Sequence, residues 1–246
     1  MILSAQAWME ISFNVAYLIA VWGLVAAMQL SDPHLPAGGR RLRRLFTGAF
    51  ALLALGDTGH VGFRVLAYLQ GSSLSSNAES GLGLVGVGAL ATAVTVTFFY
   101  IIMLLIWQER FGKPLSWFGT VLVLAAMLRL ALMLFPGNQW NNTIPPQPWS
   151  LYRNLPLVVL GLGVAYLILR DARTYGDKVF LWVGVMILVS YAFYLPVILF
   201  VQRMPAIGML MIPKTLAYVA IAVIAYRQLF NASTKPKSSA LIHQEI

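Results

Sequence analysis

The chain alternates long apolar runs with short polar breaks. A helix needs roughly 20 apolar residues to cross a bilayer core. Seven runs approach or exceed that length: 7–30, 45–69, 82–107, 115–135, 151–169, 179–201 and 206–228. Turn chemistry separates them. The breaks are Ser31-Asp32-Pro33 through Arg44, Gln70 to Ser80, Gln108 to Pro114, Pro136 to Ser150, Arg170 to Lys178, and Gln202 to Pro205. The last break is so short that the sixth and seventh runs are expected to form a tight hairpin. No internal repeat is evident. The pattern predicts an all-α bundle of seven transmembrane helices over residues 1–230 and a polar tail over 231–246. The first run, Ala7 to Leu30, is longer than a signal-peptide core and follows no basic segment. It is expected to be retained as a helix.

Composition narrows the class. Of 246 residues, 59% are hydrophobic and only 10% charged, with a mean hydropathy of +0.77. A soluble domain carries about a quarter charged residues, so this much apolar surface calls for lipid. There are no cysteines, which excludes disulfides, thiolate metal sites and a cysteine nucleophile. No metal-ligand cluster is visible, and no cofactor is specified.

The formal charge of +9 is explained by where the cations sit. The first break carries Arg40, Arg41, Arg43 and Arg44, the third Arg110 and Lys113, the fifth Arg170, Arg173 and Lys178. The tail region adds Arg227, Lys235 and Lys237, while the other breaks hold only Arg203. Basic loops mark the cytoplasmic face. The N-terminus is therefore expected outside and the C-terminus in the cytoplasm of a multi-pass cell-membrane protein. No basic face interleaved with aromatics lies outside the membrane, so the expected partner is the lipid bilayer rather than nucleic acid. The longest break on the outer side, Pro136 to Trp149, is uncharged, rich in amides and stiffened by proline. Its Trp140 is expected either to anchor in headgroups or to rim a pocket.

Two motifs carry no chemistry. Gly81-Leu82-Gly83-Leu84-Val85-Gly86 fits a dinucleotide-binding string, but no strand precedes it and no acidic residue follows about 20 positions on. These glycines, continued by Gly88, Ala89 and Ala91, are expected to let helices approach closely. Asn141-Asn142-Thr143 is a glycosylation sequon, idle in the bacterial source we expect.

The informative residues are ionisable groups inside apolar helices. Each costs at least about 2.5–3.5 kcal/mol near the bilayer centre. They are Glu10, Asp57, His60, Arg64, Arg129, Arg153 and Lys214. With the expected topology, all fall at the midplane or in the outer half, leaving the inner half almost purely apolar. Asp57, His60 and Arg64 share one helix face by their i, i+3, i+7 spacing. Glu10 with Asn14, Tyr191 with Tyr194, and Lys214 with Tyr218 form similar single stripes. Pro213 is expected to interrupt the last helix beside Lys214. Four cations against two carboxylates predict an outward-facing pocket for a small anionic or amphiphilic ligand. An ion-pair network joining Asp57 to Lys214 or Arg129, and Glu10 to Arg64 or Arg153, would instead fix helix packing alone.

The segment Gly56-Asp57-x-x-His60-x-x-x-Arg64 resembles a motif of uncharacterised bacterial multi-pass membrane proteins. Gly208 to Val219, with Pro213-Lys214-Thr215 and Tyr218 inside it, is similar to the last helix of the same family, and Tyr152-Arg153-Asn154-x-Pro156 to a third shared element. That resemblance implies a membrane fold and gives these positions weight, with no activity attached. Gly56-Asp57 is also similar to a dipeptide of lysoplasmalogenase-type membrane hydrolases, although no second intramembrane aspartate completes a carboxylate pair. The length, seven crossings and Lys214 resemble microbial rhodopsins. This chain departs from them in having no carboxylate on the third helix, and Leu210 and Met211 where an aspartate would precede the lysine.

Four functions compete. A receptor, sensor or carrier would hold an anion with Arg64, Arg129 and Lys214, tune it through His60, and cover it with Tyr194 and Trp140. A lipid hydrolase or transferase would use Asp57 or His60 as general base. A retinal protein would form its Schiff base on Lys214 with Asp57 as counterion. A structural subunit of a membrane complex would need none of these.

Overall fold

The computed structural model describes residues 5–31, 39–69, 83–142 and 144–231, without the side chains of 5–11 and 64–69. Seven α-helices are formed: α1 Ala5–Ser31, α2 Arg40–Leu69, α3 Leu84–Phe111, α4 Trp117–Met133, α5 Trp149–Thr174, α6 Lys178–Phe200 and α7 Met211–Ala225. There is no strand among the described residues. Five helical segments are long and apolar enough to cross a membrane: Ser12–Ser31, Leu84–Phe111, Trp149–Thr174, Lys178–Phe200 and Pro205–Phe230. The other two fall short for identifiable reasons. Helix α4 has 17 residues, about 26 Å. Helix α2 begins with four arginines and carries Asp57 and His60 in its second half.

The helix ends follow local chemistry. Gly112 closes α3 in a left-handed conformation with φ of 60°, which glycine adopts without steric cost. Ser116 caps α4 by accepting the Gly119 N–H. Gly176, with φ of 67°, turns the chain out of α5, and Asp177 then accepts the N–H groups of Val179 and Phe180 to start α6. Between α6 and α7 the turn is tight, with Arg203 and Met204 donating back to the Phe200 carbonyl at 3.0 and 2.9 Å. A 3-10 stretch, Pro205–Leu210, precedes α7. Pro213 therefore stands in the first turn of α7, where a missing N–H costs least. The irregular backbone lies before it rather than at it. A π-helical turn, Tyr226–Phe230, follows α7.

Successive helices run antiparallel and leave two unlike ends. At the basic end Arg41 pairs with Glu109 and Arg110 with Asp177. At the opposite end the α4–α5 connection ties the bundle together. Asn141 accepts the Gly83 N–H, Gln147 donates to the Ile198 carbonyl, and Gln202 donates to the Pro145 carbonyl. Phe46, Phe50, Phe99, Met103, Trp107, Val164, Ile168 and Ile187 fill the centre. Helix α5 is the most enclosed span, while the others expose apolar faces through Ile19, Leu128, Trp182 and Leu216. Such faces suit a lipid solvent.

The small residues act as spacers. A Cβ on Gly88 would lie 2.9 Å from the Gly59 carbonyl oxygen and from the His60 Cα, so α2 and α3 touch backbone to backbone. A Cβ on Gly161 would collide with the Tyr191 ring, which packs α5 tightly on α6. One expectation is corrected here. The basic half is not purely apolar: α5 extends to Thr174, and buried Asp171 accepts a 2.8 Å hydrogen bond from the Trp107 indole while pairing with Arg170. The sequence placed Asp171 in a loop because the apolar run ends at Leu169.

Candidate functional site

All seven helices deliver polar groups to one region in the half of the bundle away from the basic end. From α2, Asp57 accepts a 2.6 Å hydrogen bond from the Tyr17 hydroxyl of α1. The same turn of α2 is held on α3 by Thr92, which donates to the Gly56 carbonyl at 2.8 Å. Lys214 enters from α7. Its ammonium lies 3.9 Å from the centre of the Tyr194 ring and 5.9 Å from that of Tyr218. Asp57 and Lys214 act on each other electrostatically without approaching to ion-pair distance. Both are half-buried.

Behind them lies a more enclosed layer. Arg129 of α4, 2% exposed, donates to the Thr97 hydroxyl at 2.8 Å and to the Arg153 carbonyl at 3.1 Å. Arg153, 8% exposed, donates to Asn138 and lies 4.2 Å over the Trp140 ring. Trp140 itself donates to the Met133 carbonyl, and Asn138 to the Leu132 and Phe135 carbonyls. The α4–α5 connection thus forms a rim over the arginines.

Tyrosines join the two layers. Tyr100 and Tyr218 share a 2.9 Å hydrogen bond. Tyr191 donates to the Leu157 carbonyl and Tyr194 to the Asn154 side chain. Tyr100 packs against Tyr191, and Tyr191 against Tyr194. Ser190 lies beside the Tyr218 hydroxyl.

Of the residues singled out from sequence, Asp57, Arg129, Arg153, Tyr191, Tyr194, Lys214 and Tyr218 meet here, with Trp140 at the rim. His60 sits one turn from Asp57, its backbone against Gly88. Asn14 is half-buried one turn from Tyr17 on α1. The side chains of Glu10 and Arg64 lie outside the described residues. Sequence reasoning missed Tyr17, Thr97, Tyr100 and Asn138, and marked Asn154 only through its place in the Tyr152-Arg153-Asn154 element. Tyr17 follows Asn14 by three positions and so extends a stripe already visible. Thr97 gave no signal, since a threonine in a helix satisfies itself on its own backbone, as it also does here on the Ala93 carbonyl.

The electrostatics are unbalanced. Among the described side chains of this half that are not exposed, Arg129, Arg153 and Lys214 stand against Asp57, and none of the three forms an ion pair with it. Cation–π contact returns about 0.5–2 kcal/mol to Lys214, less than the burial of an ammonium costs. The arginines bond only to neutral oxygens. Among the described side chains two positive charges are left without a counter-charge, which suits a site that completes itself with an anion. No group of three metal-ligating side chains occurs among the described residues. No protein-family model, curated protein or solved structure matches this chain.

Proposed function

We propose that this protein crosses a bacterial cell membrane seven times, with its N-terminus outside and its basic end in the cytoplasm. On this reading its cation-rich cluster binds a small anionic or amphiphilic ligand reaching it from the outer side, as in a receptor, sensor or carrier. One observation carries the reading: among the described side chains, buried Arg129 and Arg153 and half-buried Lys214 gather around a tyrosine-lined region with one carboxylate, Asp57, that forms an ion pair with none of them. Weak packing of α7 against α1 and α2, beside half-buried Asp57 and Lys214, supports access from that side.

Because the chain has no cysteine, its topology is testable on the native background. A membrane-impermeant maleimide applied to intact cells is expected to label Asn142→Cys, and to label Arg173→Cys only after permeabilisation. The reverse pattern would invert the orientation.

The electrostatic interaction of Asp57 with Lys214 favours a second reading, in which Lys214 condenses with an aldehyde such as retinal and Asp57 balances the protonated imine. One pair of variants separates the two. In thermal unfolding of the purified protein, oleate or inorganic phosphate is expected to raise the wild-type midpoint by several degrees. Lys214→Ala loses that response and Lys214→Arg keeps it, because only the charge is needed. Visible colour after retinal addition, lost in both variants, would select the imine instead. A wild type that responds to neither anion sinks the anion reading.

A further inference from the structure

A second site lies at the other end of the molecule, and the cluster above takes no part in it. Where α6 begins and α7 ends, Lys178, Val179, Trp182, Val223, Ile224, Arg227 and Gln228 line a cavity of about 270 Å³. Its construction follows helical spacing. Lys178 and Trp182 are i, i+4 on α6, and Val223 and Arg227 are i, i+4 along α7 and the turn after it, so two antiparallel stripes face a common groove. The π-helical turn that carries Arg227 and Gln228 widens the backbone at the groove's mouth. Each stripe reads the same way from its end inward: a cation at the tip, then apolar or amphipathic surface. Lys178 and Arg227 are exposed, as is Trp182 at 56%. Val179, Val223 and Ile224 are half-buried and form the floor.

We infer that this groove binds a phospholipid with a net-negative headgroup. Two cations at the mouth suit a phosphodiester, and basic grooves between transmembrane helices on the cytoplasmic side take such headgroups. The floor below them is apolar and continuous with the lipid-facing surface, which suits an acyl chain and not water. Trp182 sits one turn inward from Lys178, at the level where an indole bridges headgroup and hydrocarbon. A free phosphate would use only the mouth, so the floor is what selects lipid. The inference rests on the helices spanning a bilayer and is independent of what the tyrosine-lined cluster binds.

Native mass spectrometry of the detergent-purified protein tests it. Wild type is expected to retain phosphatidylglycerol in preference to phosphatidylcholine by about thirtyfold, from two near-surface cations. Lys178→Ala/Arg227→Ala is expected to lose most of that preference. Arg44→Ala/Arg173→Ala, which removes the same charge from exposed positions of the basic end, is expected to keep it. Equal loss in both double variants, or none in the first, would overturn the site. Millimolar glycerol phosphate is expected to leave the lipid adduct in place; displacement by it would overturn the lipid assignment and leave a headgroup-only anion site.

Discussion

Replacing Arg129 by methionine is expected to weaken anion binding about thirtyfold or more while leaving the ligand-free protein at least as stable as the wild type. The two halves of that expectation have separate causes. A desolvated cation facing a bound anion is worth about 2–5 kcal/mol when removed, which sets the loss of affinity. In the ligand-free protein the same guanidinium is 2% exposed and bonds only to the Arg153 carbonyl and the Thr97 hydroxyl. The carbonyl belongs to a regular turn of α5, and the Thr97 hydroxyl also donates to Ala93, so neither group is stranded when the guanidinium goes. Exchanging a buried guanidinium that no described carboxylate pairs with for a methionine of similar length removes a desolvation cost, so stability is expected to hold or rise. Thermal unfolding with and without oleate and inorganic phosphate reads both quantities. If Arg129→Met unfolds the protein, and what remains folded binds either anion as wild type does, the arginine is a strut and the anion site is elsewhere.

The bundle was legible in the sequence because lipid imposes a coarse rule that apolar runs must obey. Each predicted run overlaps one α-helix of the structure, and the errors sit at the ends, where side-chain chemistry decides. Helix α5 runs on to Thr174 past a polar stretch because Trp107 supplies Asp171 with a buried donor, a partner 64 positions away that no local pattern shows. The last run divides into a 3-10 segment opened by Pro205, α7 and a π turn, where hydropathy alone reads one helix. The cluster was legible through its charges, since an ionisable residue in an apolar run stands out singly. Its tyrosines were only half legible. Tyr191 and Tyr194 repeat at i, i+3, but Tyr100 lies in an aromatic-rich run where nothing marks its hydroxyl as bonded to Tyr218. Which cation faces which ring depends on helix rotation, and the sequence offered both Arg129 and Lys214 to Asp57 on equal terms.

Gly88→Leu is expected to lower stability by about 3 kcal/mol or more, while Gly62→Leu on the facing helix changes it by less than about 1 kcal/mol. A Cβ at position 88 would lie 2.9 Å from the Gly59 carbonyl oxygen and the His60 Cα. Both are backbone atoms of a helix and have no rotamer to retreat into, so α2 and α3 must separate. That seam is the most extensive helix contact in the molecule. Opening it strains the bond from Thr92 to the Gly56 carbonyl and shifts Asp57 relative to Lys214. At Gly62 a Cβ meets nothing within 4 Å, and leucine has the better helix propensity. Measured by unfolding midpoint, the contrast tests packing. Measured by anion response in whatever Gly88→Leu protein remains folded, it tests the site, because displacing Asp57 alters the field around Lys214 without touching a cation. Equal damage at both positions would mean that α3 does not set the rotation of α2. Asp57 would then owe its place to the Tyr17 hydroxyl of α1 rather than to the α2–α3 seam.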